Sequence, residues 1–270
     1  MPLLSTLGAA SSQSFKGRGG PDLTMTASTI DADMSSGSFS IPSDADIVSG
    51  DMLIVAQGSG DSNVTTFPSP VSDGYYSPSG FTRMQTEFSN YGSSGSSPQI
   101  CASCGSCRYL AGGSEPGTTI SGFLPTGQDG YEESDGSLVR LRPNFNIGIR
   151  SFKDNTSFTG LKTSNGTITS PAISLDVVPP TRCTLLVTVF MNHNSSNTNG
   201  IVFSKNIDDF RVFQATTSYS GSGFKVSGLR YISMHVFPNG ISIGDMTISH
   251  TNTALGARML SSSALEIGTS

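Results

Sequence analysis

Three of the chain's four cysteines fall in the seven residues CASCGSC (101–107), and the fourth is Cys183. Thiolates at such spacing can ligate zinc, with Cys183 or a histidine as a fourth ligand. Two successive two-residue gaps, however, crowd three sulfurs onto one tight loop, where closed zinc sites use separated ligand pairs. One disulfide, or free thiols in an exposed loop, are the other states open to Cys101, Cys104, Cys107 and Cys183, and free thiols carry the most weight. Gly60-Asp61-Ser62 follows an apolar run, as a hydrolase nucleophile can. Its partners would have to be Asp245 and His250, which have four residues between them where that chemistry uses an Asp-x-x-His pair. The crossover helices of such a fold are also missing, as is a Gly-x-Ser-x-Gly elbow. His193, His235 and His250 lie in three different segments and read as surface histidines. Asp129, Glu132, Glu133 and Asp135 lack the spacing of a calcium loop and read as a solvated loop. The expectation is a protein with no catalytic residues, no metal and no cofactor.

The totals point the same way. Charged residues make up 13% of the 270, about half the usual share, and glycine is enriched at 31. Low charge with abundant Ser, Thr, Gly and Asn suits a turn-rich protein with a neutral polar surface. The net charge of −5, with no basic cluster beyond the spaced Lys16 and Arg18, gives nucleic acid little to bind. No apolar run approaches the length of a membrane span. The first residues have no basic start or long apolar core, so no signal peptide is expected.

The elements that must position any site are strands. The run after Ser49-Gly50-Asp51, Met52 to Ala56, reads as a short buried strand that stops at Gly58-Ser59-Gly60. CTLLVTVFM (183–191) is the strongest apolar run. Residues 231–237 alternate, with Ser233 and His235 on the polar phase. Strands are also expected within 23–41, at 108–111, at 137–141 paired in a hairpin-like unit with 146–152, and at 173–178, 210–217, 245–250 and 257–260. Ten or more short strands with no long helix predict an all-β, antiparallel β-sandwich or jelly-roll-like fold over residues 23–270, as one domain. Residues 1–22 read as an extended N-terminal arm, with Leu3, Leu4, Leu7 and Phe15 as its docking side chains. Residues 57–80, 90–99 and 124–137 read as long polar loops. Tyr75, Tyr76 and Tyr91 on the first two could stack on sugar rings or anchor a subunit contact.

Four pieces together resemble a family. They are SGDMLIVAQGS (49–59), SGFTRM (79–84), YLAGGSEPGTTIS (109–121) and the run from 173 to 260. Many virion proteins of tailed bacteriophages are similar: a strand led in by Gly-Asp, a Gly-Trp-Thr step, a strand ending in Gly-Ser-Glu-Pro, then a Leu/Val-rich strand. The opening LLSTLGAAS also looks like the start of some phage tail and fibre subunits. Phe81 stands where that pattern has Trp, and the cysteine cluster is no part of it. The resemblance implies a β-sandwich in the virion that helps build a tail, fibre or collar. Capsid decoration and glycan-binding receptor recognition are the alternatives. It implies other virion structural proteins as partners, a homo-oligomer, and a host surface glycan for the last alternative, with neither nucleic acid nor membrane insertion. It transfers no catalytic set. The Gly-Asp and Gly-Ser-Glu-Pro steps are expected to fix strand ends, Asp51 by accepting backbone N–H bonds.

Overall fold

The computed structural model describes residues 25–31, 38–64, 80–84, 99–121, 133–143, 149, 151–162, 166–175, 182–193, 201–219, 228–238, 240–252 and 258–268. The fold is all-β. Residues 25–143 contribute β1 (Met25–Asp31), β2 (Ser38–Ser40), β3 (Met52–Val64), β4 (Thr82–Arg83), β5 (Gln99–Leu110), β6 (Thr119–Ser121) and β7 (Glu133–Pro143). Residues 151–268 contribute β8 (Ser151–Lys162), β9 (Gly166–Thr169), β10 (Ile173–Leu175), β11 (Arg182–His193), β12 (Val202–Phe203), β13 (Arg211–Tyr219), β14 (Gly228–Phe237), β15 (Gly244–Met246), β16 (Ile248–Asn252) and β17 (Arg258–Gly268). A one-turn 3-10 helix at Asp208–Phe210 is the sole helical element among the described residues.

Two five-stranded antiparallel sheets dominate, in the orders β1-β7-β3-β5-β4 and β13-β14-β11-β17-β8. Each sheet draws on one half of the chain, and the two halves share one topology. In each, the half's first strand lies at an edge against its last (β1 on β7, β8 on β17). The last pairs with the second (β3, β11), and the second with the third (β5, β14). A further strand flanks the third (β4, β13). Short accessory strands repeat the scheme. β2 precedes the second strand and pairs with β6, which precedes the last; β9 and β16 do the same in the other half, with β10 and β15 beside them. Even the hydrogen bond that follows each accessory pair matches: Ile41 N–H donates to Thr118 O at 2.9 Å, and Ser170 N–H to Ile248 O at 2.8 Å.

Side-chain alternation explains why the central strands are continuously apolar. In β3, Met52, Ile54 and Ala56 point into a core shared with the second sheet, while Leu53 and Val55 point the other way, under β2, β6 and the segment through Ile41 and Ile47. In β11, Cys183, Leu185, Val187 and Val189 enter the shared core, while Leu186 and Phe190 lie under the accessory strands of the second half. A strand covered on both faces buries both sets of side chains, so most of its positions are apolar. Across the shared core Arg108 ties the sheets. It is 9% exposed, donates to Asp154 Oδ1 at 2.7 Å, and stacks its guanidinium 4.7 Å from the Phe152 ring centre.

The structure revises several sequence boundaries. β3 does not stop at Gly58 but continues to Val64, because β5 and β7 pair with its glycine-rich end (Gly58 opposite Cys104 and Asp135). CASCGSC is the middle of β5 and not a loop. Glu133 and Asp135 open β7 and are not loop residues. The described parts of the expected 137–141 and 146–152 hairpin do not pair: β7 belongs to the first sheet and β8, from Ser151, to the second. β17 extends well past Leu260. His235 and His250 are fully buried, since the outer face of the second sheet is covered.

His235 packs against Phe203 and Phe237, with ring centres 5.1 and 6.5 Å away, and Arg211 is its cross-strand partner. Burial, helped by Arg211, pushes its pKa down to about 3. The unfolded value is about 6.5, so above that pH the imidazole is neutral in both states. Below it the unfolded chain takes up a proton that the folded chain refuses, and stability falls as pH drops from about 6.5 toward 3. Denaturant titrations at pH 7 and pH 5 are expected to show about 2 kcal/mol more loss for the native protein than for His235→Leu, which has no such proton to exclude.

Candidate functional site

The densest polar constellation sits at one end of the first sheet, where β3 begins and β5 and β7 end. It grows from a tight turn. Gly50 adopts φ +90°, Asp51 N–H donates to Val48 O at 3.1 Å, and Asp51 Oδ2 accepts Val48 N–H at 3.0 Å. Register sets Met52 opposite Leu141, which brings Arg142 beside Asp51. The guanidinium grips this carboxylate with two bonds, Nε to Oδ1 at 2.8 Å and Nη2 to Oδ2 at 2.7 Å. Asp51 is 1% exposed, so its charge is balanced where water does not reach. On the solvent side Asp46 accepts from Arg142 Nη1 at 2.8 Å and from Arg140 Nη1 at 3.0 Å. Those bonds, from Arg142 first and Arg140 next, hold the Asp46 carboxyl below its usual pKa. Asp51, and then Asp46, push that of Arg142 up.

A second carboxylate organises the neighbouring turn. Glu115, nearly buried, accepts Gly112 N–H at 2.6 Å and Gly113 N–H at 2.8 Å. Its carbonyl accepts Thr118 N–H at 3.0 Å and Thr118 Oγ1–H at 2.6 Å. The two turns are pressed together. Gly113 has φ +93°, and a Cβ there would come within 3.0 Å of Ser49 N. Gly50 N–H donates to Ala111 O at 3.0 Å, and Ala111 N–H to Asp51 O at 2.8 Å. Tyr109 joins the third piece. Burial, followed by the nearby Glu115 carboxylate, raises the pKa of its phenol. Its ring stacks on Phe81 at 5.1 Å, and a Cβ on Gly80 would meet the same ring at 3.1 Å.

Gly50-Asp51, Gly80-Phe81 and Tyr109 to Pro116, three of the pieces picked out from the sequence, are therefore one contact network. Its chemistry is structural. Both Asp51 oxygens and both Glu115 oxygens accept hydrogen bonds from amides or a guanidinium, and these bonds hold the two turns in place. Arg142, Arg140 and Asp46 went unnoticed in the sequence. The available signal was the Arg-Leu-Arg at 140–142: two cations on one face of a strand need nearby anions.

The other sequence candidates separate. Along β5, Cys104 faces the shared core and Cys107 the opposite face, because three residues of strand reverse the direction. They cannot close on one ion. Among the described residues, no group of three or more His, Cys, Asp or Glu is placed to hold a metal. Cys104, Cys107 and Cys183 are free and buried, and burial pushes the Cys183 thiol up to about 12 and the other two higher still. They are free, as weighted, but in the core and not in an exposed loop. Gly60 and Asp61 pair with Ala102 and Cys101, Ser62 falls where the register of β3 shifts, and His250, on accessory strand β16, packs on Phe190 with ring centres 4.2 Å apart. The side chains of Cys101, His193 and Ser62 lie outside the described residues. So do Leu3, Leu4, Leu7, Phe15, Tyr75, Tyr76 and Tyr91.

No protein-family profile matches the chain, and neither a curated protein nor a solved structure matches it significantly.

Removing Asp51 leaves Arg142 without its buried partner and the Val48 amide without an acceptor. Asp51→Ala is expected to cost about 3–5 kcal/mol in urea denaturation, whereas Asp46→Ala, at the exposed end of the same network, changes stability far less. Equal effects would contradict this division. Thiol titration with Ellman's reagent is expected to leave Cys104, Cys107 and Cys183 unmodified in the native protein, and to reach them only at the rate of unfolding.

Proposed function

We propose that this protein is a structural subunit of a tailed-bacteriophage virion, contributing to the assembly of a tail, fibre or collar. One observation carries the proposal. Three of the four pieces that resemble phage virion proteins meet in the network around Asp51, Glu115 and Tyr109, so much of the resemblance lies in residues that hold a strand end in place. A motif set used that way belongs to a scaffold. On this reading the two large sheets form a β-sandwich. Their sequential origin favours two stacked units over a jelly roll, in which the strands of both sheets interleave along the chain. The subunit has no catalytic role. Its partners are further copies of itself and other virion proteins, and residues 1–22 reach a neighbouring subunit with Leu3, Leu4, Leu7 and Phe15. Repetition by symmetry makes such small contacts collectively strong.

Light scattering on the full chain and on a chain lacking residues 1–22 tests the arm. The full chain is expected to form a defined oligomer and the shortened chain to be monomeric with unchanged thermal stability. Immunogold labelling of purified virions from the producing host is expected to decorate the tail or collar. A monomeric full chain together with unlabelled virions would overturn the proposal.

A further inference from the structure

The two halves share a topology but differ in one buried row. In the first half, Phe39 of the accessory pair sits over the row that contains Gln57 and Gly136. The next row inward is Cys107, Val55 and Leu138, all fully buried and all apolar. In the second half, His250 of the accessory pair stacks on Phe190. The next row inward is Ser233, Thr188 and Ser262, directly opposite one another across β14, β11 and β17. Each is at most 1% exposed. On the same face, two residues along β14 from Ser233, lies His235.

None of the three hydroxyls has a hydrogen-bond partner, and neither does either nitrogen of His235. Tyr231 lies two residues from Ser233 on the same face, and its phenol leans toward that hydroxyl without a hydrogen bond of normal geometry. Five polar atoms orphaned side by side would cost the fold heavily, since each buried unsatisfied group forfeits about 1–3 kcal/mol. Side chains directly opposite across an antiparallel pair have Cβ atoms about 4.5–5.5 Å apart. Such a pair can hydrogen-bond directly, as Thr167 and Thr251 do at 2.8 Å across β9 and β16, but the three hydroxyls of this row do not reach one another, which suits a bridging oxygen. Water is the occupant that fits. It donates and accepts toward hydroxyls of either orientation and toward a neutral imidazole. The row carries no charged side chain that would select an ion.

We propose that the Ser233–Thr188–Ser262 row, with His235 at its end, is a built hydration site. Ordered water molecules there bridge the second sheet to the strands that cover it, where the corresponding row of the first half is apolar.

A high-resolution crystal structure of the full chain is expected to show water density within hydrogen-bond distance of Thr188 Oγ1 and of Ser233 Oγ or Ser262 Oγ. Thr188→Val keeps shape and strand preference while removing the hydroxyl. With water in place the variant strands a bound water, and its Tm is expected to fall by about 2–4 °C. Ser262→Ala is expected to act in the same direction. If the row were dry, Thr188→Val would delete an orphan and Tm would stay level or rise. An empty row, density too large for water, or an unchanged or higher Tm in both variants would each overturn the proposal.

Discussion

Each of the two large sheets is covered on both faces, and the rest of the structure follows from that constraint. A sheet with one wet face alternates apolar and polar residues. β3 and β11 cannot, because one side of each enters the shared core and the other lies under accessory strands. Their sequences are accordingly apolar runs, Met52 to Ala56 and Leu185 to Val187, with buried hydroxyls at Thr184 and Thr188 on either side of the second. The accessory pairs β2–β6 and β9–β16 are therefore needed lids. Without them Leu53, Val55, Leu186 and Phe190 would face water.

Covering both faces leaves the sheet ends as the places where the chain must turn tightly and carry charge. At the end where β3 begins, the solution is a pair of buried carboxylates. Asp51 and Glu115 each collect backbone amides, and Asp51 also collects Arg142, so the turns at 48–51 and 112–118 lock against each other. The sequence stretches 49–56 and 109–116 form this lock together with the strand it starts. That is why its residues look motif-like without presenting any reactive atom.

Much of this was legible in the sequence. Period and turn residues gave an all-β chain, and Gly50-Asp51 and Gly113 to Pro116 announced strand ends, the first with a carboxylate bound to a backbone amide. Three things were hidden, each for a physical reason. Glycine and serine at 58–62 and 101–106 mimic loops by composition, yet cross-strand pairing to β7 and between β3 and β5 holds them as strand. His235 occupies the polar phase of an alternating strand, which reads as solvent only if that face is open, and the lid that closes it is made from distant residues. The matching topology of the two halves leaves almost no trace, because each position need only be apolar or small, and Val55 and Thr188 satisfy the same geometry with different chemistry. Ser261-Ser262-Ser263 within the apolar β17 was the one visible hint of the buried hydroxyl row.

The central claim is that both halves fold on one shared core, so that β3 and β11 are parts of a single cooperative unit. Native-state hydrogen exchange, followed residue by residue, tests it most directly. The amides of Leu53 to Val55 and of Leu185 to Val187 are predicted to exchange only by global unfolding, with protection free energies equal to within about 1 kcal/mol and matching the stability from denaturant. Two separate plateaus, one for each half, would contradict the claim.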